Sequence, residues 1–292
     1  MKSLTTFLLL FNMLAATSQT VEYSGLIALP DSTFITYKVD IIENDGYISG
    51  YSYTDLNGPH ESKNSIVGRY DDKSNHLEFR EVDLIYTKSP IDELDFCYVY
   101  YSGQMRRLNG KSNLEGNFKS YYDDLEPCIN GELMLQSAEK AERKLEKLKR
   151  KIDKTSRIAD SVKQRLNESS FFNVNKRQGL KGGETLNVLW NSKVAYLEIW
   201  DPGTVDGDAM SISLNGKTLE KSYAPKKSKR KIPLILDKDQ SKLTLIALTE
   251  GTEPPNTAQI RLTDGNGKEI SMLSSFKVGE KVEVVFYFKD LK

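Results

Sequence analysis

The chain has 292 residues, with 41 basic and 41 acidic side chains, so its formal net charge is zero. That balance excludes the overall basic footprint of a nucleic-acid binder. A composition of 38% hydrophobic and 28% charged residues excludes disordered and collagen-like chains, and the length suggests two domains.

Residues 1–19 read as a secretory signal. Lys2 supplies a positive charge, Phe7 to Phe11 form an apolar run, and Thr17, Ser18 and Gln19 give a small, polar exit. The stretch is short for a membrane span, which needs about 20 apolar residues. Cleavage is expected near Ser18 to Gln19, giving an exported protein that is periplasmic, outer-membrane-associated or secreted. No later run is long and apolar enough to cross a bilayer. The only cysteines, Cys97 and Cys128, are expected to form one disulfide in an oxidising compartment. Closing that loop stabilises by roughly 3 kcal/mol.

Residues 20–136 read as a first β domain, with 20 acidic residues against 10 basic ones. Ile35, Tyr37, Val39 and Ile41 alternate with Thr36, Lys38 and Asp40, the period of a strand with one buried face. Turn signals recur at Asn44-Asp45-Gly46, Asn57-Gly58-Pro59, Asp71-Asp72-Lys73 and Asn109-Gly110. A weak repeat of the form apolar-x-Gly-x-apolar, usually ending on an aromatic, appears at Ile48 to Tyr53, Leu114 to Phe118 and Ile129 to Leu133, with a variant at Val67 to Tyr70. Glycine inside a strand marks a bend or a close backbone approach. Eight or so short strands with such corners predict a closed meander β-barrel, whose topology resembles avidin-like and lipocalin-like barrels. Tyrosines 47, 51, 53, 98, 100 and 101 then either line a cavity for a small apolar ligand or fill the core.

Residues 137–178 change character to a charged helical linker with 13 basic and 6 acidic residues. Ala138, Ala141, Leu145, Leu148, Ile152, Ala159, Val162 and Leu166 follow steps of three and four, with Thr155 filling the remaining place, as in a coiled-coil seam. The flanks, Lys144 against Lys149 and Ile158 against Lys163, are unfavourable for a parallel homodimer. The seam is therefore expected to dock on the protein's own β domains or on an acidic partner. Ser137 is expected to cap the helix.

Residues 179–292 read as a β-sandwich of eight or nine strands, with hairpin turns at Asn215-Gly216 and Asp264-Gly265-Asn266-Gly267. The most distinctive string runs from Asp201 to Asp208. Asp201, Asp206 and Asp208 crowd hard oxygen ligands onto a glycine-containing loop, the donor type calcium needs. The competing reading is a solvated turn. Lys226 to Arg230 and Lys231 form a basic run, read as a solvated loop or an anionic-polymer contact.

The strings Trp200 to Asp208, Ser211 to Gly216, Leu245 to Gly251 and Pro254 to Ala258 resemble a domain of exported and cell-envelope proteins of the Bacteroidota. That domain also occurs beside peptidoglycan-binding modules of the outer-membrane protein A type. The acidic loop is similar, too, to those of calcium-dependent carbohydrate-binding modules. The resemblance implies an envelope address, with glycan or an envelope protein as partner and calcium as a structural ion. A binding or adaptor protein is the first expectation. A small-ligand carrier using the barrel is the alternative, and a hydrolase comes last. His60 and His76 are the only histidines, and no GxSxG motif accompanies them.

Overall fold

The computed structural model describes residues 20–91, 96–105, 108, 113–155 and 179–288. The signal expected over residues 1–19 and the linker residues 156–178 lie outside the described residues. The described chain is mainly β, an eight-stranded antiparallel meander barrel followed by a second, mixed-sheet unit.

The barrel comprises β1 (Thr20–Ala28), β2 (Phe34–Asn44), β3 (Tyr47–Thr54), β4 (Ser62–Asp71), β5 (His76–Thr87), β6 (Tyr98–Gln104), β7 (Leu114–Tyr121) and β8 (Gly131–Ser137). Each strand pairs with the next, and β8 returns to β1, closing the ring. In β2 the sequence alternation becomes geometry: Tyr37, Val39 and Ile41 are fully buried inside. Lys38 and Asp40 point outward and pair at 2.9 Å. The glycine repeat also has its physical cause. Gly50 adopts φ +147°, and a Cβ there would stand 1.9 Å from the Asp40 carbonyl oxygen of β2. Only glycine admits that approach.

The barrel interior is packed. Tyr23, Tyr37, Ile41, Ile66, Leu77, Tyr101 and Leu133 belong to one apolar cluster. Of the six tyrosines singled out from sequence, only Tyr101 joins it. Tyr47, Tyr51 and Tyr53 alternate with the interior Ile48 and so stand on the outer wall of β3, as Tyr98 and Tyr100 do on β6. The period of two made them all candidates, and strand register chose the face. Cys97 and Cys128 are bonded, with Cα atoms 6.0 Å apart.

The second unit contains β9 (Gly179–Lys181), β10 (Thr185–Trp190), β11 (Val194–Trp200), β12 (Asp208–Leu214), β13 (Lys217–Tyr223), β14 (Arg230–Ile235), β15 (Gln240–Glu250), β16 (Asn256–Thr263), β17 (Glu269–Phe276) and β18 (Lys281–Phe288). One layer runs β13-β12-β15-β18-β10, the other β14-β11-β16-β17-β9. The β10–β18 and β17–β9 pairs are parallel, and the remaining pairs within the layers are antiparallel. Inward residues of both layers, among them Leu197, Ile212, Leu245, Ile260 and Val284, share one core. Within it Trp190 meets Phe286 edge-on, with centroids 5.4 Å apart. The β12–β13 turn places Asn215 at φ +52° and Gly216 at φ +81°, the left-handed pair that the Asn-Gly signal requires.

The two units are joined by a sheet. β6 pairs only with the first part of β5, from His76 to Arg80. Further along, β5 takes β10 as its neighbour, through Val188↔Tyr86 and Asn187↔Thr87. Ile85 and Tyr86 consequently belong to the second core. At this joint Lys88 is almost fully buried, 2.9 Å from Glu184 and 3.8 Å from Glu61, and its ammonium donates to the Gly179 carbonyl oxygen. α1 (Ala138–Lys154) follows β8 without a loop, so Ser137, the last residue of β8, stands directly before the first helical residue.

Candidate functional site

The acidic loop between β11 and β12 comes first, because the sequence singled it out. Asp201 is buried, and its Oδ1 accepts from the Gly203 N–H at 2.6 Å. Asp206 accepts from the Asp208 N–H at 3.2 Å and, through its other oxygen, from the Glu253 N–H at 2.8 Å. Asp208 is buried at the start of β12, and its Oδ2 accepts from the Thr257 N–H at 2.7 Å. These carboxylates thus hold the loop to itself, to the segment before β16 and to the start of β16. Burial, followed by the nearby carboxylates of Asp206, Asp201 and Glu250, raises the Asp208 carboxyl against the Thr257 hydrogen bond. Its Oδ1 is buried with no hydrogen-bond partner. Among the described residues, no three His, Cys, Asp or Glu side chains gather closely enough to hold a metal ion. Of the expected calcium set, Asp208 Oδ1 is thus a buried carboxylate oxygen without a hydrogen-bond partner.

The outer face of the layer containing β11 carries a different arrangement. Alternation along β11 buries Ala195, Leu197 and Ile199 and turns Tyr196, Glu198 and Trp200 outward. The basic run crosses this face. Lys231 stands over the Tyr196 ring at 4.1 Å and Lys229 over Trp200 at 4.7 Å. Arg261 of β16 approaches the same indole at 5.6 Å and pairs with Glu198. The basic run and the tryptophan are about 30 residues apart along the chain, and pairing of β14 with β11 brings them together.

Inside the barrel, sequence reading missed Glu81. It lies in the apolar interior and accepts from Tyr37 Oη at 2.8 Å, Ser52 Oγ at 2.5 Å and the Val99 N–H at 2.8 Å. Burial raises its carboxyl above the ordinary glutamate value despite these hydrogen bonds. The signal was present in β5, where Glu81 shares the parity of Leu77 and Phe79.

Each histidine meets a serine. His60 Nδ1 lies 3.0 Å from Ser89 Oγ, and His76 Nε2 lies 3.0 Å from Ser102 Oγ. Among the described residues, neither imidazole has a carboxylate on its other ring nitrogen. The orienting third group of a catalytic triad is thus not supplied by them.

No protein-family model matches the chain, and neither the curated proteins nor the solved structures contain a match to it.

Proposed function

We propose that the chain is an exported binding protein of the cell envelope, acting through contact rather than chemistry. Its second unit is read as a β-sandwich module that meets glycan through the outer face of β11, β14 and β16. The observation carrying this reading is the pair of outward rings, Tyr196 and Trp200, each attended by cations from neighbouring strands. Aromatic faces offer stacking area for sugar rings, and lysine and arginine attract anionic groups. The packed barrel interior supports this over the carrier alternative, which needs an internal chamber.

Affinity electrophoresis through immobilised envelope glycans tests the reading. Retardation of the whole protein should be lost in Trp200→Ala and weakened in the double variant Lys229→Ser, Lys231→Ser. Equal retardation of all three proteins would overturn it, and capture of an envelope protein by the same face would replace glycan with protein as the partner.

A further inference from the structure

A second surface, on the barrel and apart from β11, has a charge pattern that its own domain does not explain. An open groove of about 840 Å³ crosses the outer wall from β3 to β7. Five neighbouring strands at the usual spacing make it roughly 19 Å across. Strand register sets its side chains in two rows. One is Tyr47, Arg69, Glu78 and Ser102 and the other Val67, Arg80, Tyr100 and Lys119, each residue opposite the next across adjacent strands. The rows face outward, because the alternate residues Phe79, Tyr101 and Phe118 are buried in the barrel.

Residues 20–136 hold twice as many acids as bases. A basic side chain here has many possible partners within its own domain. Yet among the described residues Arg69, Arg80 and Lys119 make no ion pair, and all three are exposed in this groove. Arg69 lies over the Tyr47 ring at 5.5 Å. Arg80 and Lys119 stand in register on either side of Tyr100, whose ring meets Tyr121 edge-on at 5.0 Å. Concentrated, unneutralised cations in a concave site focus potential on an anionic ligand.

The wall also narrows the ligand's chemistry. In a closed barrel the backbone donors and acceptors are spent on the ladder, so an added peptide strand finds no edge there. Recognition has to go through side chains, which favours rings that stack on tyrosine. Glu78 and Asn117 also line the groove and supply acceptors for hydroxyl donors. A carboxylate and an amide oxygen at that position suit a hydroxyl-rich ligand, whose hydroxyls donate to them. We propose that this groove binds an anionic oligosaccharide, its acidic groups held by Arg69, Arg80 and Lys119 and a sugar ring stacked on Tyr100.

Titration calorimetry of the whole protein tests this, with three probes of equal length: an oligouronate, a neutral oligosaccharide and single-stranded oligothymidylate. The oligouronate should bind, with affinity falling as salt rises. Affinity should drop at least about tenfold in the double variant Arg80→Ser, Lys119→Ser and in Tyr100→Ala. Arg80→Lys should retain part of the binding, since it keeps the charge on an exposed position. In the background Lys229→Ser, Lys231→Ser, which removes the second unit's share of anionic-sugar binding, the groove variants should still lower the affinity by the same factor, which separates the groove from the face of the second unit. Oligouronate binding unchanged by the groove variants, equal binding of the neutral sugar, or tighter binding of oligothymidylate would each overturn the proposal.

Discussion

Glu81 and Asp206 show what single carboxylates do in this protein. Glu81 sits in an apolar interior and still finds three donors. Its folded carboxyl holds a proton more tightly than the unfolded one, whose ordinary value is 4.5. The stability tied to this proton is present below that value and is lost as pH rises through the folded one. Glu81→Gln puts an amide N–H toward the Val99 N–H or toward the two hydroxyls, so it should destabilise by roughly 1–3 kcal/mol. Glutamine does not titrate, so the deficit should shrink as pH rises from about 4 to about 8. Denaturant unfolding across that range checks it, and a deficit growing with pH would contradict the assignment. Asp206 instead fastens a loop by accepting two backbone N–H groups. Asp206→Ala should cost about 1–2 kcal/mol, measured the same way. Calcium and chelator should leave the melting temperature unchanged. A chelator-sensitive melting temperature that Asp208→Asn abolishes would instead place a cation at the unpartnered Oδ1.

At the scale of elements, turn and bend chemistry was readable, whereas the facing of side chains was only partly so. The glycine repeat announced corners, and Gly50 meets that expectation with a left-handed φ and a neighbouring carbonyl where a Cβ would go. Gly50→Ala should destabilise the barrel by roughly 1–3 kcal/mol through strain and strand displacement. Gly265→Ala, at an open turn where an added Cβ meets nothing, should cost far less. Thermal melts of the two variants side by side make the comparison, and equal losses would dispose of the close-approach argument. Asn215-Gly216 behaved as its sequence predicts, because a two-residue hairpin is a local problem with a local solution. The tyrosines did so only in part: Tyr53, Tyr98 and Tyr101 are buried whereas Tyr47 and Tyr51 are exposed, because period two names two faces without saying which one closes inward.

The whole molecule is held together differently from what its linear order suggests. Residues 137–178 were expected to join the domains, but the described contact between the units is β5 paired with β10, sealed by Lys88 with Glu61 and Glu184. Tyr86 Oη and the Asn57 N–H also donate to Glu61, so removing the lysine leaves a buried, hydrogen-bonded carboxylate without its cation. Lys88→Met should therefore cost roughly 3–5 kcal/mol and broaden or split the unfolding transition as the units uncouple. Calorimetry reads both effects, and an unchanged single transition would show that the joint is held by packing alone. Sequence alone determined the β character, the approximate strand number of the barrel, the Cys97–Cys128 bond and the hairpin turns at Asn215-Gly216 and Asp264 to Gly267. Each depends on residue spacing or on pairs of residues with no alternative partner. Only the tertiary structure decided which wall bears Tyr100 between Arg80 and Lys119, that Lys229 and Lys231 cover Tyr196 and Trp200, and that Lys88 is buried. Those facts depend on strand register and on pairings between distant segments, where a shift of one residue exchanges the buried and exposed faces.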